Sequence, residues 1–513
     1  MAFPGPSHVR MPTAKARSAK QPNILSVAQK NFGYTELRRG QEEAIRALLA
    51  EQDTLVVMPT GAGKSAIYQI AGLMMDGPVL VISPLIALQK DQVDSIQSQE
   101  TKAEAVLINS TQKASELREN LQQIQEGRYK FIFLAPEQLR KEETVEALNN
   151  AEIALFVVDE AHCISEWGHD FRPDYLQLGH AVERLNHPIT LAMTATASAR
   201  VREEIIERLG MRNPKILVGG FDRPNIHLRV DRFKKESKKL EALIHRVRWA
   251  EKPGIVYTGT RKAAEAIMHS LDEEGIPALY YHAGLKAAER EEIQNKFMSG
   301  DAEVIIATNA FGMGIDKADI RFVYHYDAPD SLDSYYQEIG RAGRDGEKAE
   351  AILFFREQDI GAQAFHTGQG KVDAQQLEKV VEAIAEQEEP VAPKEIAEGT
   401  GLSIRKLTSV VQQLEDVGVV ETLPSGEVQL TKSADVEEAV QEVGGQQEQR
   451  KEMNKECLEQ MRDYADTSAC RREYLLRYFG DNFHGPCQNC DNCEAANPDV
   501  AIDPTVGTRR EVA

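Results

Sequence analysis

Residues 54–70 read TLVVMPTGAGKSAIYQI: an apolar run, a glycine-rich turn, then a stretch with helical patterning. A turn of this kind between strand and helix lets backbone N–H groups approach phosphate oxygens, and the helix N-terminus favours their charge. Lys64 is placed to reach the outer phosphates of a nucleotide and Ser65 to hold Mg²⁺, with Thr60, Gly61 and Gly63 shaping the cradle. The strict form of this phosphate loop has glycine five residues before Gly63, where this chain has Met58. What remains is TGxGKS, a shorter variant used by motor ATPases. The loop alone does not separate a kinase, a GTPase and a motor.

Working outward, further apolar runs follow at VLVIS (79–83), KFIFLA (130–135), ALFVVD (154–159) and ITLAMT (189–194). A second series comprises GIVYT (254–258), ALYYH (278–282), VIIAT (304–308), RFVYHY (321–326) and AILFF (351–355). Short apolar runs separated by longer amphipathic segments predict buried parallel strands with crossover helices. Two consecutive α/β domains of about five strands each follow, with a boundary near 210–235.

The run at 154–159 ends in Asp159-Glu160-Ala161-His162. Carboxylates at the C-terminal end of a strand suit metal coordination and water activation: Asp159 for Mg²⁺, Glu160 to polarise the attacking water. DSYYQEIGRAGRDG (333–346) carries Arg341 and Arg344, three residues apart and expected on one helix face, within about one turn of each other. Such pairs ordinarily make surface ion pairs. Here they offer the second domain a means to stabilise charge on a γ-phosphoryl held by the first.

The net charge of −21 first argues against a polyanionic partner. The excess is uneven, however: residues 373–446 hold 16 acidic against 5 basic side chains, a net of −11. A basic groove elsewhere is compatible with that, because local field governs polyanion binding. No apolar run approaches the roughly 20 residues of a membrane span. The first residues lack an apolar signal segment, so a cytoplasmic protein is expected, with tails at 1–22 and 496–513 read as disordered.

APKEIAEGTGLSIRKLTSVVQQLEDVGVVETLPSGEVQLT (392–431) reads helix, turn, longer helix and two short strands, the order of a winged helix. A polar helical stretch follows, then Cys470, Cys487, Cys490 and Cys493. Four thiolates crowded this closely in a chain without a secretory signal predict a tetrahedral Zn²⁺ site. Redox-active thiols or an iron–sulfur cluster are the alternatives.

Together these motifs resemble superfamily 2 helicases, and within them the RecQ family of DNA helicases, over about residues 25–360 and again over 465–495. FGYTELRRGQEEAI (32–45) is similar to the family's adenine-recognising element, which implies that Gln41 bonds the base and Arg38 packs against it. VISPLIALQKDQV (81–93) resembles motif Ia, MTATAS (193–198) motif III and VYTGTRKAAE (256–265) motif IV. ATNAFGMGIDKADIRFVYHY (307–326) resembles motif V, and with it Asp316 joins the nucleotide-binding set. VVDEAHCISEWGHDFRPDY (157–175) is close to a RecQ signature whose aromatic part links DNA contact to hydrolysis through Trp167, His169, Phe171 and Arg172. Exposed rings there supply stacking platforms for unpaired bases, each worth about 1–3 kcal/mol. CRREYLLRYFG and CQNCDNC are like the RecQ zinc subdomain, which strengthens zinc for the four cysteines.

One feature departs from the family pattern. About 125 residues separate Gly346 from Cys470, the winged-helix pattern lies within that gap, and only 20 residues follow Cys493. That leaves no room for the winged helix that the family places after the zinc. The interposed module is acidic; DNA contact through Arg405 and Lys406, or a structural or protein-binding use, are both open.

The expected architecture is therefore α/β: two tandem RecA-like parallel-sheet domains (23–212 and 213–360), a winged-helix-like module (371–432) and a helical zinc-binding domain (433–495). The resemblance implies an ATP-, Mg²⁺- and Zn²⁺-using DNA helicase moving 3′→5′ in repair or recombination. Its partners are single-stranded and forked duplex DNA, not membrane, together with single-strand-binding or repair proteins. A monomer is expected, nucleoid-associated if bacterial. Competing readings are an RNA-stimulated ATPase and an ATP-gated DNA-binding scaffold that does not unwind.

Overall fold

Alternate side chains of a strand point to opposite faces, so a strand that is apolar throughout needs cover on both. The computed structural model satisfies this twice. It describes residues 23–497 apart from 85, 99–102, 110–111, 166–170, 313–314, 316, 362–373, 388, 417–418, 424–426 and 432–435. The tail at 1–22, and that at 496–513 apart from residues 496 and 497, lie outside the described residues.

The first sheet contains β1 (Thr54–Val57), β2 (Val79–Ile82), β3 (Ala105–Ile108), β4 (Phe131–Leu134), β5 (Leu155–Val158), β6 (Ile189–Thr194) and β7 (Lys215–Val218). Their order is β3-β4-β2-β5-β6-β1-β7, parallel throughout. Leu55, Val57, Leu80, Ile82, Phe156 and Val158 enter one apolar layer. Their neighbours Val56, Val79, Val81, Leu155 and Val157 enter the other. The second sheet comprises β8 (Ile226–Arg232), β9 (Gly254–Tyr257), β10 (Leu279–Tyr281), β11 (Val304–Ala307), β12 (Phe322–His325) and β13 (Ala349–Phe355). Its order is β10-β11-β9-β12-β13-β8, again parallel, with Ile255 and Val323 on one face and Val256 and Tyr324 on the other. The tandem α/β expectation holds.

Three strands escape the apolar-run reading, and the reason is physical. β7 is an edge strand whose Ile216 and Val218 face outward, and β8 (IHLRVDR) alternates apolar and polar as a half-exposed edge does. β3 is a four-residue run with a charged segment before it. β7 also pairs with β1, which carries the first sheet past the boundary expected at residue 212.

Strand order positions the motifs. β5, β6 and β1 are consecutive neighbours, so their C-terminal ends bring Asp159, Thr194 and the glycine-rich turn to one edge of the sheet. That edge is where parallel α/β sheets hold ligands.

Helices Ala374–Ala385, Pro393–Thr400 and Ile404–Asp416 precede an antiparallel ribbon of β14 (Val420–Thr422) and β15 (Val428–Leu430). Leu377, Val380, Leu407, Val410, Leu414 and Val428 form their common core. A single helix, Val436–Asp466, then joins two cores: Val443 belongs to this module, while Leu458, Met461 and Tyr464 belong to the second lobe. Among the described residues no helix is long and apolar enough to cross a membrane.

Candidate nucleotide and zinc sites

β1 ends at Val57 and the helix Lys64–Met74 begins after Gly63. Gly61 (φ 82°) and Gly63 (φ 77°) both take left-handed backbone, which side chains disfavour. At Gly63 a β-carbon would also sit 2.7 Å from Gln41 Nε2. No side chain caps this helix, so its first N–H groups stay available to an anion. Thr60 and Ser65 flank the turn and are half-buried. Arg38 and Gln41, assigned to adenine, bear on the same loop: Gln41 Nε2 donates to the Gly63 carbonyl at 2.8 Å, and Arg38 donates to the Gly61 carbonyl.

Lys64 Nζ donates to the carbonyls of Met58 (3.0 Å) and Pro59 (3.4 Å). Desolvation lowers its pKa, the carboxylates of Glu160 and Asp159 oppose this, and Arg344 adds a repulsive contribution. Asp159 is pushed up to about 7, first by burial, then by Glu160, with Lys64 opposing. Glu160 adopts left-handed backbone (φ 48°). Its Oε2 is buried, accepts no hydrogen bond among the described residues, and lies 3.4 Å from His162 Nδ1. A buried carboxylate oxygen with no hydrogen bond beside a desolvated carboxyl fits a site that receives Mg²⁺ or its water. His162 Nδ1 also meets Thr194 Oγ1 at 2.8 Å, and Thr194 donates to the Thr196 carbonyl at 3.0 Å. Glu160 is thereby connected to the MTATAS loop.

The two arginines part company. Their helix (Leu332–Ile339) ends at Gly340, and Gly343 turns the chain through φ 55°. They therefore do not share a helix face, which corrects the sequence expectation. Arg341 is buried and donates to the Gly312 carbonyl inside the second lobe. Arg344 donates to the Ile315 carbonyl at 3.0 Å and reaches the first lobe, where a β-carbon on Gly61 would lie 3.9 Å from its Cδ.

Of the aromatic segment, Trp167 and His169 lie outside the described residues, as does Asp316 in motif V. Phe171 and Arg172 are half-buried. Arg172 Nη1 donates to the Pro84 carbonyl at 3.1 Å and its backbone N to Cys163 at 2.9 Å. Tyr175 Oη donates to the Asp159 carbonyl at 3.2 Å, so the segment is tied to both motif Ia and the carboxylate strand.

The sulfurs of Cys470, Cys487, Cys490 and Cys493 all lie within 4.8 Å of one another. Four thiolates at about 2.3 Å from a common centre require spacing of this order, so the set fits zinc. Cys490 is pulled down to about 5, chiefly by the hydrogen bond from Cys487 and further by backbone N–H groups. Arg471 and Asp491 pair at 3.0 Å and Asp491 accepts from Val230 N at 3.1 Å, so the cysteine loop docks on β8.

Sequence reasoning missed how this module grips the arginine helix. Tyr478 Oη donates to Asp333 Oδ2 at 2.5 Å, and the Phe479 ring lies 4.7 Å from Tyr336 and 5.0 Å from Phe221. The signal present was CRREYLLRYFG, whose rings and arginines are too many for a plain metal knuckle.

Family profiles match the chain as DEAD/DEAH box helicase over 38–205, helicase conserved C-terminal domain over 237–346 and RecQ zinc-binding over 430–494. The chain is 36% identical over 474 residues to the ATP-dependent DNA helicase RecQ of Haemophilus influenzae, covering 92% of this chain and 64% of that one. It is 35% identical over 483 residues to the probable ATP-dependent DNA helicase RecS of Bacillus subtilis, covering 94% and 93%. It thus spans under two-thirds of the first relative's length and nearly all of the second's. A crystal structure of the helicase MrfA bound to DNA shares the fold, with a TM-score of 0.55 and 17% identity over 80% of this chain and 62% of that one.

Proposed function

The chain belongs to the RecQ family of helicases, and on that premise we propose that it hydrolyses ATP to move 3′→5′ along single-stranded DNA and part a duplex. The observation that carries the reading is the approach of Arg344, from the second lobe, to the phosphate loop of the first. A nucleotide in that cleft has protein charge on both sides, and its presence or loss changes the spacing of the lobes.

In this reading Lys64 and the backbone of Gly61 to Ser65 hold the phosphates, while Arg38 and Gln41 exchange their loop contacts for the base. Ser65 and Asp159 would hold Mg²⁺, which would supply positive charge against that of the phosphates. Glu160 orients the attacking water and Arg344 stabilises the charge that develops. Arg341, locked to Gly312, positions motif V, to which Asp316 belongs, and acts at one remove. Trp167, His169, Phe171 and Arg172 contact the strand and report its presence to Asp159. Cys470, Cys487, Cys490 and Cys493 hold a structural zinc.

The protein works as a monomer on single-stranded and forked DNA in the cytoplasm, at the nucleoid if bacterial, beside single-strand-binding or repair proteins. ATP hydrolysis measured with DNA, with RNA and without nucleic acid tests the substrate class. Stimulation by DNA over RNA is expected; equal or greater stimulation by RNA would replace this reading with an RNA remodeller.

A further inference from the structure

Arg202 lies on the helix Ala199–Arg208, just past the MTATAS loop, and belongs to none of the motifs. Its Nη1 donates to two carbonyls at once: that of Ala197 at 2.9 Å, which closes the MTATAS loop, and that of Phe479 at 3.1 Å. Phe479 ends the zinc module's helix Arg471–Tyr478, and Gly480 beyond it turns through φ 84°. A guanidinium at this point satisfies a helix-end carbonyl and complements the negative end of the helix. One guanidinium nitrogen that serves two carbonyls from two different units is a joint between them, and the planar group fixes the direction of both its N–H bonds.

What the joint connects gives it meaning. On one side, Ala197 follows Thr194 and Thr196, which lead through His162 to Glu160. On the other side, the zinc helix holds the arginine helix through Tyr478 on Asp333 and through the Phe479–Tyr336 ring contact. Phe479, Leu476 and Tyr336 also pack into the first lobe's apolar layer, so the zinc helix is wedged between the lobes. The first lobe and the segment that carries Arg344 are thus linked twice, once where Arg344 approaches Gly61 of the phosphate loop and once around the back through Arg202.

We propose that Arg202 is a positioning residue which ties the MTATAS loop to the zinc module, so that hydrolysis in the cleft is converted into movement of the arginine helix and strand separation. This rests on the motor reading above. Without the joint, the cleft still turns over nucleotide, but the zinc module no longer follows the first lobe.

The test compares full-length, zinc-replete wild type with Arg202→Ala and Arg202→Lys. Two quantities are read: amide exchange of residues 332–339 with a non-hydrolysable ATP analogue bound, and base pairs separated per ATP hydrolysed. Arg202→Ala is expected to keep its zinc and to hydrolyse ATP on single-stranded DNA within about twofold of wild type, because no group in the cleft changes. Exchange at 332–339 rises about tenfold, as befits loss of a charge-assisted bond, and the base pairs opened per ATP fall about tenfold. Arg202→Lys, which keeps the charge without the planar group, falls between. Unchanged exchange or an unchanged ratio in Arg202→Ala overturns the proposal. So does an Arg202→Ala protein that loses zinc while Arg202→Lys matches wild type in both readouts, since that marks a role in folding alone. If wild type itself hydrolyses ATP without parting strands, the motor reading fails, and the exchange measurement still decides whether Arg202 positions the helix.

Discussion

Arg344 of the second lobe stands against Gly61 of the first, its Cδ 3.9 Å from where a β-carbon on that glycine would be. Arg341, three residues earlier, is turned away and buried on the Gly312 carbonyl. Two substitutions of the same kind should therefore fail differently. Arg344→Ala should lower kcat by about 10³–10⁵, the range of arginine fingers, and leave strand binding and thermal stability nearly intact. Arg341→Ala should leave a buried carbonyl with one partner fewer, cost about 1–3 kcal/mol, and lower the unfolding temperature by several degrees. Steady-state kinetics and thermal unfolding on the same preparations separate the two. Equal kinetic losses with no difference in stability would count against the division of labour.

A second prediction concerns acidity. Asp159 titrates near 7 in the fold against an ordinary 3.8, because burial and Glu160 disfavour its charge. A carboxyl whose folded pKa is raised favours the folded state in its neutral form. That contribution is complete below about pH 3.8 and is lost as pH rises through 7. In Mg²⁺-free protein, Asp159→Asn should thus gain stability relative to wild type progressively between pH 4 and 7, read by thermal unfolding. Wild-type Mg²⁺ affinity should tighten over the same interval, as the carboxylate forms. A stability difference that stays flat from pH 4 to 8 would remove the raised carboxyl from the account.

The zinc set makes a third. Cys490→Ser should cost one equivalent of zinc by metal analysis. Because such a site contributes folding energy, the helix 471–478 should loosen with it. Arg471 and Arg472, buried in the intact module, then become sites for trypsin. Retention of the metal and of protease resistance would mean that the remaining three sulfurs suffice.

How far the sequence carries can be judged from particular residues. The glycine-rich turn, the Asp159–Glu160 pair and the four cysteines were legible because neighbours in the chain are neighbours in space, and spacing alone constrains their chemistry. The pair Arg341 and Arg344 was legible as a pair but not in its geometry, since three-residue spacing means one face only while a helix lasts, and this one ends at Ile339. β7 and β8 lie at sheet edges, where one face meets solvent and the continuous apolar run disappears. Arg202 was not legible at all. Its partner Phe479 is 277 residues away, and no local pattern announces a contact made only when the zinc helix folds between the lobes.

The central claim is that two lobes share one triphosphate and that spending it moves them along a strand. It is tested most directly by strand displacement from a 3′-tailed duplex, with ATP hydrolysis followed in the same reaction and Lys64→Ala run beside wild type. The account predicts released strand that depends on hydrolysis, requires the 3′ tail, and vanishes together with hydrolysis in Lys64→Ala. Sustained ATP turnover by wild type with the duplex left whole would contradict it.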